Sequence, residues 1–149
     1  MAKRVLLVDD DPDSVKYLAA ILHNHGYESV HAYDGNEGLR KVKQLAPDLI
    51  VLDVMMPKKS GLLLCSELKT DERYKHIPVL MLTGVSSILQ GLESSDDNTD
   101  GSIDDVLLAA LKKKIRGLRE QGLISPEMFV DKPVDPDAFI AKVRQLIGS

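Results

Sequence analysis

The sequence predicts an α/β domain built on a doubly wound, five-stranded parallel sheet with helices on both faces. Three observations carry that prediction. Short apolar runs at residues 4–8, 29–33, 48–53, 78–84 and 128–133 read as strands. The stretches between them place apolar residues at helical spacing, and strands alternating with helices give a parallel sheet. Runs such as Leu49-Ile50-Val51-Leu52 do not alternate with polar residues, the pattern of a strand covered on both sides.

Each element has its own signals. The first strand ends in Asp9-Asp10-Asp11, and Pro12 suits the first turn of a helix with Asp11 as its N-cap. Val15, Leu18, Ala19 and Leu22 form the apolar face of that helix, and Gly26 stops it. After the second strand, Asp34-Gly35 turns into a helix carrying Leu39, Val42 and Leu45, ended by Pro47. The third strand closes in Asp53, with Pro57 and Gly61 marking the loop that leaves it; Ser60 opens a helix through Leu64 and Leu68. The fourth strand ends in Thr83-Gly84 and the fifth in Asp131-Lys132-Pro133. Asp135 and Pro136 then cap a final helix through Phe139, Ile140, Val143 and Ile147.

The regular alternation breaks between Thr83 and Met128. Residues 85–101 are small and polar, longer than the usual ceiling of about 12–15 residues for a loop without structure. Residues 102–122 read as a long helix: Ser102 and acids lie at its start, Leu107, Leu111, Ile115 and Leu118 form a stripe, and Lys112 to Arg119 put basic charge late, as the helix dipole prefers. The chain is therefore expected to be one domain, residues 1–149, with an enlarged region at about 85–122.

Composition narrows the function classes. With 149 residues, 44% apolar and 28% charged, the chain is an ordinary globular domain. A net charge of −4 gives no footprint for direct nucleic-acid binding. No apolar run approaches membrane-spanning length, the start has no signal-peptide core, and the lone Cys65 fits a reducing compartment. The default expectation is a soluble cytoplasmic protein without membrane insertion. The histidines are scattered with no ligand spacing, and Cys65 reads as a small core residue.

The chemistry gathers at one edge. In a doubly wound sheet the carboxyl ends of the strands share an edge, where such folds bind their ligands. That edge receives Asp9, Asp10, Asp53, Thr83 and Lys132. Carboxylates crowded together need raised pKa values or a cation, and Mg²⁺, a hard ion that keeps oxygen ligands and waters, answers that need. Mg²⁺, the Lys132 ammonium and the Thr83 hydroxyl around Asp53 meet the requirements of phosphoryl transfer, with Asp53 as nucleophile.

Val8-Asp9-Asp10-Asp11, Leu52-Asp53 with Met56-Pro57 and Gly61, Leu82-Thr83-Gly84 and Phe129-Val130-Asp131-Lys132-Pro133 occur in order at predicted strand ends. In this the chain resembles the receiver domains of two-component response regulators, of the stand-alone type. The resemblance implies the strand order 2-1-3-4-5 and Asp53 as phosphoacceptor. It implies Asp10 as direct Mg²⁺ ligand, Asp9 as ligand through water and the Met55 carbonyl as a further ligand. Thr83 and Phe129 are the implied switch residues, Lys132 pairs with phosphate, and the Lys132-Pro133 peptide is expected cis. The implied partners are a sensor histidine kinase or phosphotransfer protein and an unknown downstream protein, with a dimer left open. The chain ends soon after the last helix, so output is expected through another protein rather than an attached domain.

Two departures stand out. The lengthened 85–122 region falls where receivers present their signalling face. Met55 and Val85, each two residues after a key position, are apolar where polar residues often hold the hydrolytic water, so a long-lived phosphoryl group is expected. A Mg²⁺-dependent phosphohydrolase with an aspartyl nucleophile is the competing class; such enzymes usually carry a second Asp where this chain has Met55. A phosphorylation-independent scaffold is the third.

Overall fold

A computed structural model describes residues 2–54, 61–83, 113, 116, 117, 119–122 and 129–148. Its elements are β1 (Arg4–Val8), α1 (Pro12–Asn24), β2 (Glu28–Ala32), α2 (Gly35–Leu45), β3 (Leu49–Asp53), α3 (Gly61–Thr70), β4 (Val79–Thr83), β5 (Phe129–Asp131) and α4 (Pro136–Ile147). The strands form one parallel sheet in the order β2-β1-β3-β4-β5. The doubly wound sheet and its strand order are as expected from the sequence.

Strand parity divides the core in two. Leu6, Val8, Ile50, Leu52, Val79, Met81 and Phe129 pack on one face with Val42 of α2 and Leu64 and Leu68 of α3. Val5, Leu7, Leu49, Val51, Leu80, Leu82 and Val130 pack on the other with Val15, Leu18 and Leu22 of α1 and Phe139, Ile140 and Val143 of α4. Successive strand residues point to opposite faces, so apolar runs without polar alternation are what two covered faces require.

Helix boundaries follow local chemistry. The Asp11 side chain accepts from the Asp13 amide, Asp34 from Glu37 and Asp135 from Ala138, each meeting an otherwise orphaned N–H of the first turn. The α2 helix ends at Ala46, a non-glycine residue in the left-handed region at φ 45°, whose N–H bonds back to Val42.

Strand limits differ from expectation by a residue or two, β5 ending at Asp131 rather than at Pro133. The second strand begins at Glu28, because its amide donates to the Lys3 carbonyl at 2.9 Å. It stops before Tyr33, whose amide is taken by the Glu37 carboxylate at the start of α2. Pro78 lies outside β4 because it has no N–H to give, although its carbonyl accepts from Ile50.

Within the enlarged region, residues 113, 116, 117, 119 and 120 are helical, consistent with part of the expected helix. Gln121 and Gly122 form a turn, and the other residues of that region, including Val85, lie outside the described residues, as do Met55 and Ser60. No described helix is long and apolar enough to cross a membrane.

Candidate functional site

Asp9 directly follows β1, Asp53 is the last residue of β3, and Lys132 is the first residue beyond β5. By strand parity all three lie on the α1 side of the sheet: Asp9 continues Val5 and Leu7, Asp53 continues Leu49 and Val51, and Lys132 continues Val130. Asp10, exposed, follows Asp9. One oxygen from each of Asp9, Asp10 and Asp53 lies within 4.8 Å of the others. The Lys132 Nζ is 3.4 Å from Asp53 Oδ2 and 3.7 Å from Asp9 Oδ2.

This site is largely withdrawn from water. Asp9 is 1% exposed and Asp53 6%, and they are the buried charged residues of the described chain. Asp9 Oδ1 accepts from the Asp11 amide at 3.0 Å, whereas its Oδ2 is buried without a hydrogen-bond partner. Burial pushes the Asp9 carboxyl up to about 6; the Asp53 and Asp10 charges add to the rise, against the Asp11 amide and Lys132.

The site fits a divalent cation on its own terms. A buried carboxylate oxygen without a donor is costly, and a hard cation satisfies it. Oxygen ligands of octahedral Mg²⁺ stand about 2.0–2.1 Å from the metal and so roughly 3–4 Å from one another. Oxygens of three carboxylates within 4.8 Å of one another can face one such ion, directly or through its waters, and exposed Asp10 leaves room for those waters.

Of the other predicted residues, Thr83 ends β4, with its backbone in register with Asp131. Phe129 is buried among Leu52, Val54, Cys65 and Met81 on the α2–α3 side of the sheet. The Lys132-Pro133 peptide is cis, as expected. Met55 lies outside the described residues.

Two features carried no local sequence signal. A Cβ on Gly61 would stand 2.2 Å from the Asp53 carbonyl oxygen and 2.9 Å from its carbon, so α3 starts pressed against the backbone of the candidate nucleophile. Tyr17 of α1 donates its hydroxyl to the Val134 carbonyl at 3.0 Å, a contact between positions 117 apart in the chain.

Comparison with known proteins agrees with this geometry. Residues 5–104 match the family described as "Response regulator receiver domain". The chain belongs to that family. Over 144 residues it is 33% identical to the DNA-binding dual master transcriptional regulator RpaA of Synechocystis sp., covering 97% of this chain and 48% of that protein. Over 132 residues it is 39% identical to Response regulator PleD of Caulobacter vibrioides, covering 86% of this chain and 28% of that one. The receiver thus spans half or less of the length of these relatives. Among solved structures, a putative response regulator from Chloroflexus aurantiacus aligns over 100% of both chains with a TM-score of 0.71 and 25% identity. The chemotaxis response regulator CheY4 of Vibrio cholerae aligns over 98% of this chain and 99% of that one, with a TM-score of 0.70 and 25% identity.

Proposed function

We propose that this receiver accepts a phosphoryl group on Asp53 from a phosphohistidine of a sensor kinase or phosphotransfer protein, with Mg²⁺, and signals the change to a partner protein. The observation that carries the reading is the Lys132 ammonium 3.4 Å from Asp53 within a cluster of three carboxylates. A buried Asp with a purely structural role needs one partner, and does not need a cluster able to hold a cation beside it as well. An acceptor carboxylate facing a dianionic phosphoryl group does, because the incoming oxygens must be neutralised as they approach.

In the transfer, an Asp53 carboxylate oxygen attacks phosphorus as the P–N bond to the donor imidazole breaks; the electron pair leaves with the ring nitrogen. The donor ring, protonated on its other nitrogen before transfer, leaves as a neutral histidine, and Asp53 is left as an acyl phosphate. In this reading Lys132 pairs with one equatorial phosphoryl oxygen, exchanging its contact with Asp53 for the added charge. Thr83, at the end of the neighbouring strand, is assigned a hydroxyl for another oxygen. Asp10 directly, Asp9 through water, Asp53 and the Met55 carbonyl would hold Mg²⁺. The ion, when bound, supplies positive charge to the phosphoryl oxygens during transfer. In this reading Phe129 reports the change together with Thr83.

The test is intact-mass analysis after incubation with Mg²⁺ and acetyl phosphate. A single phosphoryl adduct is expected on the wild-type protein and none on Asp53→Asn. Adduct on both proteins, or on neither, removes the reading. Continuous release of phosphate from a phosphate ester would instead favour the hydrolase class.

A further inference from the structure

Lys132 opens the loop that joins β5 to α4, and a cavity lies against that loop. The preceding strand, β5, is three residues long and pairs only with β4 among the described residues. Between the loop and α1 lies a cavity of about 350 Å³, lined in part by Tyr17, Leu18, Leu82, Pro133 and Val134, with Lys132 at its border. Val134 rests on the core beside α1, but the cavity leaves the packing under Lys132 and Pro133 incomplete. A contact that spans the cavity would add to what holds the ammonium between its two carboxylates.

From this geometry we infer that Tyr17 is a positioning residue for Lys132. Its hydroxyl donates to the Val134 carbonyl at 3.0 Å, bridging the cavity two residues beyond the lysine. The α1 helix that carries it is tied to the acidic site at its N-terminus, because the Asp11 N-cap donates its amide to Asp9 Oδ1. The contacts close a ring: Asp9 to Asp11, along α1 to Tyr17, across to Val134, back to Lys132, and from its Nζ to Asp9 at 3.7 Å. Such a ring fixes the distance between ammonium and carboxylates more tightly than the flexible lysine side chain does. The bond also explains why a tyrosine 46% exposed occupies this position: its ring roofs the cavity and its hydroxyl is the strap. This role rests on the proposed phosphoryl acceptance only for its consequence in catalysis, not for the placement of Lys132.

Tyr17→Phe opens the ring at one bond and keeps the aromatic roof. Two measurements on the full chain test it. In the first, lysines are reductively methylated and followed by peptide mass analysis, without Mg²⁺ or phosphodonor. A neutral hydrogen bond biases an equilibrium by about 2- to 10-fold, so labelling of Lys132 should rise by about that factor in Tyr17→Phe. Exposed Lys16 should be unchanged, as should Lys69, which donates to the Lys75 and Ile77 carbonyls and reports general loosening of the fold. Unchanged labelling of Lys132, or an equal rise at Lys69, overturns the inference. In the second, phosphorylation by acetyl phosphate should slow by about 2- to 10-fold at saturating donor, with Mg²⁺ affinity within about twofold because the strap touches no carboxylate. A loss confined to Mg²⁺ affinity would also overturn it. A wild-type protein that takes no phosphoryl group defeats the proposed function, while the labelling comparison still decides the role of Tyr17.

Discussion

Asp9 is the residue at which the site opposes the fold. Its carboxyl is raised from 3.8 to about 6, chiefly by burial, so between those values the folded chain holds a proton that the unfolded chain has released. Bound protons then favour the folded state, and that stabilising contribution is present below pH 4 and lost as pH rises through about 6. The shift corresponds to about 3 kcal/mol once both states are ionised. Asp9→Asn removes the ionisation and keeps an oxygen to accept from the Asp11 amide. In the metal-free protein, urea unfolding should show the variant gaining on the wild type by about 2–3 kcal/mol between pH 4 and pH 7. A constant difference across that range would mean that Asp9 is not the titrating group.

The elements show how much the sequence disclosed. Strands and helices were legible because two covered sheet faces require unbroken apolar runs, and because Asp11, Asp34 and Asp135 are cap residues with a local hydrogen-bonding reason. Asp9, Asp10, Asp53 and Lys132 were legible for a related reason: each is a charged residue at or beside the end of an apolar strand. What stayed hidden depends on distance across the fold. The span between Tyr17 and Val134 has no periodicity to reveal it, and the spacing of Gly61 from Asp53 does not disclose that a Cβ there would meet the Asp53 carbonyl. That contact makes the junction of β3 with α3 a strict one. In Gly61→Ala the neighbouring backbone must move, and since it belongs to the candidate nucleophile, stability and reactivity fall together. The expected loss is about 1–3 kcal/mol in chemical unfolding, with slower phosphorylation. By contrast, Gly117→Ala, where a Cβ in a helical position would meet nothing within 4 Å among the described residues, should be neutral or stabilising by up to about 1 kcal/mol. Equal effects at the two positions would deny Gly61 its close approach.

For the molecule as a whole, the site exists only when the sheet does. Asp9 and Asp10, Asp53 and Lys132 come from three strand ends far apart in sequence, so an unfolded chain presents no cluster for a cation. Binding energy at the cluster is therefore folding energy, and a ligand at one hundred times its dissociation constant stabilises by about 2.7 kcal/mol. For a domain of this size that corresponds to a rise of about 5–10 °C in Tm. The metal must also displace the Asp9 proton, which ties this rise to pH. It should be full near pH 7.5, where Asp9 is ionised and its Oδ2 is without a donor, and smaller at pH 5, where a proton competes with the ion. Thermal unfolding with and without Mg²⁺ at the two pH values, on wild type and on Asp10→Ala, measures this directly. The variant should lose most of the rise at pH 7.5, because removing one of three carboxylates leaves Asp9 and Asp53 with Lys132 between them and an incomplete oxygen shell. A Mg²⁺-induced rise that is equal at both pH values and survives in Asp10→Ala would place the cation elsewhere on this acidic chain and separate Mg²⁺ binding from the Asp53 site.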